Sequence, residues 1–318
     1  MNRLQIARSI FKCQVQREGT HASFLGAGLR SSFGKSLKDQ LDCHKKESEC
    51  NTCDQHVYCP YTITFKPNLV RGLIVASPES GVKGTLPVPY AVDLTHYADI
   101  SPYHNYSEGE QFTVTLTLFG DEATHNANLF TNTMRDTLNG FFVSPGFLQV
   151  YEIVDGLDPD NIVCKNGKAR GYAIPRDWED KQLAVDIDSL VLDFASPLSL
   201  EKKTGKKQQK QSEPEFQLVF ERIVMRAKAI AQIYTGFGFV WPEEAITQAK
   251  SADTVSTFRH SFATSRSEKQ PDASFIGKIE IHGETGLLLP YLVLGSFLHI
   301  GESATMGYGG YRVLAKAD

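Results

Sequence analysis

Four cysteines lie close together in the sequence and have the chemistry of a metal site. They fall within seventeen residues and comprise Cys43, Cys50, Cys53 and Cys59. Four thiolates satisfy the tetrahedral geometry of a closed structural zinc site, and such a complete set leaves no open position for a catalytic zinc. In a reducing compartment, clustered thiols favour a metal over disulfides. The spacing of the outer two cysteines matches no common zinc ribbon, so His44 or His56 could replace one ligand.

A glycine-rich run near the C-terminus is the second unusual feature. It extends from Gly301 to Tyr311 and contains Gly301, Gly307, Gly309 and Gly310. The run lacks the Gly-Lys-Ser/Thr ending of a Walker loop. It also follows a predicted helix and precedes a predicted strand, the reverse of the order in a dinucleotide-binding loop. The sequence therefore predicts a loop whose exposed N–H groups approach a phosphate backbone or another chain closely.

Composition indicates an ordinary two-domain chain whose basic residues are concentrated locally. The chain has 318 residues, is 41% hydrophobic and carries 33 Lys and Arg against 37 Asp and Glu, a net charge of −4. These values exclude disordered, fibrous and disulfide-dense proteins. Nucleic-acid binding would need local basic patches. Two such patches exist, one formed by Arg30, Lys35, Lys38, Lys45 and Lys46, the other by Lys202, Lys203, Lys206, Lys207 and Lys210.

The periodicity of the first half predicts an α+β unit. Residues 4–15 read as a strand, and Leu25, Leu29, Phe33, Leu37 and Leu41 recur every four residues, as on one helix face. Residues 112–119 alternate as a half-buried strand. A helix over 128–138 and a strand over 147–154 follow, with a weak strand near 61–65. This is the βαββαβ order of a ferredoxin-like domain.

The second half repeats the plan, which gives two ferredoxin-like domains in tandem. Strands are predicted at 188–194, 278–282 and 311–314, and helices at 216–234 and 287–300. We therefore divide the chain into a domain over 1–155 with the cysteine-rich insert 43–59, a polar linker over 156–185, and a domain over 186–318.

The sequence indicates no membrane association. The N-terminus lacks the order of a secretory signal. The apolar stretch 287–300 is shorter than the roughly 18 residues of a membrane span. We expect a cytoplasmic protein.

Several motifs together resemble a known family. Residues 298–311 resemble the C-terminal glycine-rich motif of the CRISPR-associated RAMP endoribonucleases, which cut precursor CRISPR RNA within its repeats. Residues 25–30 (LGAGLR) with Phe33 and Gly34, and Cys59 to Tyr61 with Phe65, are similar to the zinc-containing branch of that family. Residues 192–198 and 258–261 resemble its second half, whereas 140–146 is only a remnant of a second glycine-rich turn.

The resemblance implies a reaction and a site. It implies two ferredoxin-like domains that bind a CRISPR repeat RNA hairpin, and metal-independent attack by a ribose 2′-hydroxyl that leaves 2′,3′-cyclic phosphate and 5′-hydroxyl ends. His21, in the loop before the first helix, is the expected base, and Lys35 the expected stabiliser of charge. The remaining expected RNA contacts are Arg30, Lys38, Lys202, Lys203, Lys206, Lys207, Arg259, His299, Gly301, Gly307, Gly309 and Gly310.

Two other functions remain open from the sequence. One is a non-catalytic RAMP subunit that holds CRISPR RNA among other effector subunits. The other is a zinc-stabilised protein-interaction module with no role in RNA. Cleavage of a repeat hairpin in EDTA would separate the endoribonuclease from both.

Overall fold

The computed structural model describes most of the chain in two mixed α+β halves. The described residues are 4–44, 46–70, 86–94, 97, 101–140, 144–178, 188–200, 213–235, 239–262, 274–301 and 303–316. The predicted mixed α+β class is confirmed. No helix in these ranges is long and apolar enough to span a bilayer.

The first half is built on one large antiparallel sheet. The strands of the first half are β1 (Gln5–Val15), β2 (Gly19–Ala22), β3 (Tyr90–Leu94), β4 (Tyr103–Tyr106), β5 (Gln111–Phe119), β6 (Leu148–Asp155), β7 (Asp158–Lys165), β8 (Lys168–Ala169) and β9 (Arg176–Asp177). Its helices are α1 (Gly26–Gln40), α2 (Pro60–Phe65), α3 (Asp121–His125) and α4 (Ala127–Gly140). The sheet runs β3-β5-β1-β6-β7-β8, and β2 pairs with β4 in a separate two-stranded ribbon.

The second half repeats the same strand order in a four-stranded sheet. Its elements are β10 (Ser189–Leu198), α5 (Phe216–Tyr234), α6 (Glu243–Ser251), β11 (Asp253–His260), β12 (Phe275–His282), α7 (Leu289–Leu298) and β13 (Arg312–Ala315). The order β11-β12-β10-β13 corresponds to β3-β5-β1-β6 of the first half. Without the β2–β4 ribbon, the short helices and the additional strands β7 to β9, each half reads βαββαβ.

The strand predicted near 61–65 is wrong, because those residues form α2. Pro60 occupies the start of this helix, where its fixed φ favours the first turn. Tyr61 and Phe65 then stack one turn apart, with ring centroids 5.1 Å apart. The missing strand of the first sheet is β3, which pairs with β5.

The polar stretch predicted as a linker contains strands of the first sheet. β7 pairs with β6, and β9 pairs with the start of β1 at Gln5 and Ile6. β7 lies towards the edge of the sheet and is only partly buried, so its polar residues are compatible with a strand. The first sheet therefore continues beyond residue 155.

An apolar cluster joins the two halves. It includes Leu4 and Ile6 at the start of β1, Ile230 on α5, and Leu294 and Leu298 on α7. These side chains are almost wholly buried. Burial of each contributes roughly 1.5–3 kcal/mol before conformational entropy is subtracted. The cluster therefore holds the helices of the second half against the first sheet.

Candidate active site

The β2–β4 ribbon brings two histidines together immediately before α1. In the antiparallel register, His21 lies directly opposite His104, and Gly19 opposite Tyr106. Directly opposed residues of an antiparallel pair share one face, with Cβ atoms about 4.5–5.5 Å apart. His21, His104 and Tyr106 therefore face the same side of the ribbon.

Aromatic packing fixes His21 at the end of the first sheet. Its ring meets Phe147 edge-on with a centroid separation of 4.6 Å, and the ring of Tyr106 lies 6.1 Å away. Partial burial and the nearby positive charge of Arg17 lower the pKa of His21. A neutral imidazole is the form that accepts a proton, so this environment suits a general base.

A glycine leaves space beside the Nε2 atom of His21. A Cβ added to Gly19 would stand 2.9 Å from that nitrogen. Any side chain at position 19 would therefore crowd the ring, whereas glycine avoids this contact.

His104 is held by a hydrogen-bonded network that the sequence did not reveal. Its Nε2 atom lies 3.0 Å from Oε1 of Glu110, and its ring stacks on Tyr97 with centroids 3.7 Å apart. The Tyr97 hydroxyl donates to the same Glu110 oxygen over 2.7 Å. Although burial opposes the change, hydrogen bonds from the Ser107 N–H, Tyr97 and His104 lower the pKa of Glu110. No motif spacing links Tyr97, His104 and Glu110, so only the folded ribbon brings them together.

Lys35 and Lys38 lie on α1 beyond the histidines. The predicted apolar face of this helix is buried at Leu29, Phe33 and Leu37. Lys35 is exposed, nine residues after the helix begins, or about 13 Å along its axis. Among the described residues, Arg17 is the cation whose charge lowers the pKa of His21. The Nζ atom of Lys38 instead lies 5.0 Å from the centroid of the Tyr61 ring. The described contacts thus do not bring Lys35 to His21.

The glycine-rich loop packs tightly against the protein itself. Gly301, Gly307 and Gly309 all have positive φ. A Cβ on Gly309 would come within 1.7 Å of the Ile300 carbonyl oxygen, and one on Gly310 within 2.8 Å of the His299 ring. The close approaches seen at these two glycines are therefore made to neighbouring segments of the same chain.

The same loop docks on the start of α1. A Cβ on Gly26 would lie 1.6 Å from the Met306 carbonyl oxygen. Arg30 donates from Nε to Oγ1 of Thr305 over 3.1 Å, so this predicted RNA contact bridges the two halves. The Phe24 and Tyr308 rings meet edge-on at 4.6 Å. The loop therefore reaches the segment that follows His21.

The remaining predicted RNA contacts have different positions. His299 is buried, its Nδ1 lies 3.2 Å from the Tyr308 carbonyl oxygen, and burial lowers its pKa to about 4. In this position its ring cannot reach RNA, and it supports the glycine-rich loop instead. Arg259 is exposed on β11. Lys202, Lys203, Lys206 and Lys207 lie outside the described residues.

Comparisons with protein families account for both halves of the chain. The family model AF_1859_N, described as an N-terminal domain, matches residues 4–165, just over half of the chain. The chain belongs to this family. Residues 192–311 match the model of the CRISPR-associated endoribonuclease Cas6. The second half is thus similar to the Cas6 endoribonuclease domain.

Solved Cas6 structures share the fold over nearly the whole chain. The product complex of the Thermus thermophilus Cas6 protein TTHB231 matches 97% of this chain and 99% of its own, with 13% identity and a TM-score of 0.54. The product complex of the Cas6 protein TTHA0078 matches 98% and 99%, with 16% identity and a TM-score of 0.52. A partial Cas6-RT-Cas1–Cas2 complex matches 98% of this chain and 46% of its own, with 11% identity and a TM-score of 0.58. No curated protein matches the chain.

The four clustered cysteines are free thiols. Cys50 is buried, and Cys43, Cys53 and Cys59 are half-buried. Burial raises the pKa of Cys50, and the thiols of Cys43 and Cys59 are close enough to act on it electrostatically. Within the described ranges, no three His, Cys, Asp or Glu side chains stand in a metal-binding arrangement. The thiols of Cys43 and Cys59 therefore lie within electrostatic range of Cys50, and the described residues form no zinc site.

Proposed function

We propose that this protein is an endoribonuclease that cleaves CRISPR repeat RNA with His21 as the general base. The observation that carries the proposal is the His21 imidazole. It is favoured in its neutral form and has its Nε2 atom beside Gly19, in a chain whose second half is similar to the Cas6 domain. Two of the Cas6 structures that share the fold, those of TTHB231 and TTHA0078, are product complexes.

The proposed reaction uses the RNA's own 2′-hydroxyl as nucleophile. His21 takes the proton from that hydroxyl as the oxygen attacks the adjacent phosphorus. The bond from phosphorus to the 5′-oxygen then breaks, which leaves a 2′,3′-cyclic phosphate and a 5′-hydroxyl. Negative charge develops on the phosphorane, and cations stabilise it. Arg17 lies near His21, whereas Lys35 is proposed to hold a phosphate farther along α1.

The proposed RNA path follows basic residues of both halves. Lys35 and Lys38 on α1 and Arg259 on β11 are proposed to contact phosphates, together with the lysines of 202–207. Such contacts position a hairpin without reading its sequence. We also propose association with further CRISPR proteins, because one structure that shares the fold is a Cas6-RT-Cas1–Cas2 complex.

A 2′-deoxy substitution tests the proposed reaction class. The wild-type protein should cut the repeat RNA encoded beside its gene in the presence of EDTA. An RNA with one 2′-deoxy nucleotide at the cut should bind with similar affinity and remain intact, because the nucleophile is missing while the phosphates are kept. Gel analysis of both RNAs at saturating protein is the measurement.

The same experiment separates the alternative functions. Undiminished cutting of the deoxy RNA would refute attack by the 2′-hydroxyl. Tight binding of both RNAs without any cutting would instead indicate a non-catalytic CRISPR RNA subunit. No binding of either RNA would favour a protein-interaction module.

We further propose that Cys43, Cys50, Cys53 and Cys59 hold one structural zinc. The support is the number of thiols and the electrostatic influence of Cys43 and Cys59 on Cys50. Protein prepared without chelators should contain about one zinc per chain, as expected of a closed site. Cys53→Ser should lose this zinc, whereas Cys164→Ser, a buried cysteine on β7, should keep it. Elemental analysis that finds no zinc in the wild-type protein would contradict the proposal.

A further inference from the structure

His104 is the titratable side chain nearest the proposed base in the ribbon register, and the reaction described above leaves it without a role. It stands directly opposite His21 across the ribbon. Two histidines on one face, separated by the width of a strand pair, are spaced to act on the two oxygens of one phosphodiester. The first oxygen is the attacking 2′-hydroxyl, and the second is the leaving 5′-oxygen.

The surroundings of His104 fix its orientation. Tyr97 covers one face of its ring at 3.7 Å with an interplanar angle of 3°, and Tyr106 meets it edge-on at 4.5 Å. The Glu110 carboxylate accepts a hydrogen bond from the Nε2 atom of His104 over 3.0 Å, so that nitrogen carries a hydrogen. The Nδ1 atom is therefore the one left for proton transfer. This carboxylate also balances the positive charge of a protonated ring. The side chain of His104 remains about one fifth exposed, enough for an edge to meet a ligand.

The two histidines have neighbours of opposite charge, as the tasks of a base and an acid require. His21 is beside a cation, Arg17, which disfavours a protonated ring. His104 instead has a carboxylate, that of Glu110, 3.0 Å from its Nε2 atom. Pairs of titratable groups with opposed environments are the pattern of acid and base assignments in enzymes.

We infer that His104 is a second catalytic residue, the general acid that protonates the leaving 5′-oxygen, with Glu110 and Tyr97 as its positioning residues. This inference rests on the proposed endoribonuclease function. As the bond from phosphorus to the 5′-oxygen breaks, its electron pair goes to that oxygen, which receives the proton from Nδ1 of His104. His21 holds the proton of the 2′-hydroxyl, and exchange with water restores both rings.

A substrate with sulfur in place of the leaving 5′-oxygen tests the inference. A thiolate leaves without protonation, so this RNA has no need of a general acid. His104→Ala should cut ordinary repeat RNA roughly 10²–10⁴-fold more slowly than the wild-type protein, the usual contribution of an acid. It should cut the sulfur-substituted RNA within about tenfold of the wild-type rate. His21→Ala should remain slow on both RNAs, because its missing step is the attack.

The controls separate a lost acid from a lost fold. His125→Ala removes an exposed histidine of the same domain and should change neither rate. Glu110→Gln preserves the shape of the network and should show a smaller loss with the same recovery on the sulfur-substituted RNA, even if His104→Ala fails to fold. Equal losses on both RNAs, or a normal rate for His104→Ala on ordinary RNA, would overturn the inference. Failure of the wild-type protein to cut either RNA would overturn the proposed function itself.

Discussion

His21→Ala is expected to slow the cleavage of bound repeat RNA by roughly two to four orders of magnitude. RNA affinity should stay within a few-fold of wild type, because a general base contributes to the transition state and little to the bound ground state. Single-turnover cleavage at saturating protein, with equilibrium binding measured in parallel, separates these effects. Wild-type cleavage by this variant would eliminate His21 as the base.

The pH dependence provides a second measure of the same residue. Burial and Arg17 lower the pKa of His21 from its usual value of 6.5. The base is active when neutral, so the acidic limb of the pH profile should rise with pH through the pKa of His21. The midpoint of this acidic limb should lie below 6.5. Arg17→Gln removes the nearby charge and should move the midpoint upward, whereas an unchanged midpoint would show that Arg17 does not tune the base.

Gly19→Ala isolates the space beside His21 from the residue itself. The added Cβ would stand 2.9 Å from Nε2, and the flexible ring can shift to relieve the contact. We therefore expect slower cleavage at nearly unchanged thermal stability. Gly140→Ala is the matched control, because its added Cβ has no neighbour within 4 Å and the φ of Gly140 is not positive. Gly167→Ala is unsuitable because the φ of Gly167 is +76°.

The sequence predicted the elements that carry strong periodicity. The four-residue spacing of Leu29, Phe33 and Leu37 gave α1 and its buried face, and the alternation of 112–119 gave β5. The strand β3 has five residues and no clear alternation, because four of them are buried. Residues 253–260 of β11 are mostly exposed and polar, so they lack the apolar signal of a strand. In both cases the partner strand, rather than local pattern, determines the structure.

The candidate site was only partly visible for the same reason. His21 emerged because it lies before the first helix, where the family resemblance implies a base. His104 became a candidate only through cross-strand pairing and its contact with Glu110. The glycine-rich loop was recognised as a motif, but periodicity does not show which atoms approach a glycine. The structure shows that Gly26, in a different half of the chain, is its counterpart.

The contact between Gly26 and the glycine-rich loop should therefore control the docking of the two halves. In Gly26→Ala, the new Cβ would stand 1.6 Å from the Met306 carbonyl oxygen, and no side-chain rotation relieves a clash with backbone. The variant should lose about 3 kcal/mol of stability, the upper end for overpacking. With an unfolding entropy of about 2.1 cal/mol/K per residue, the melting temperature of the 318-residue chain should fall by roughly 4–5 °C.

Two further variants test whether that loss arises from the loop. Gly309→Val combines a φ of +68° with a Cβ 1.7 Å from the Ile300 carbonyl oxygen, so it should destabilise the protein at least as much. Gly140→Ala should leave the melting temperature unchanged or slightly raised, because its site is open. We expect both destabilised variants to bind RNA more weakly, because displacing the loop also disturbs Phe24 and the segment that carries His21. Cleavage of RNA that remains bound at saturating protein should fall far less than in His21→Ala, because the proposed base is retained. A Gly26→Ala protein that melts with the wild type would show that the loop does not rest on α1 in solution.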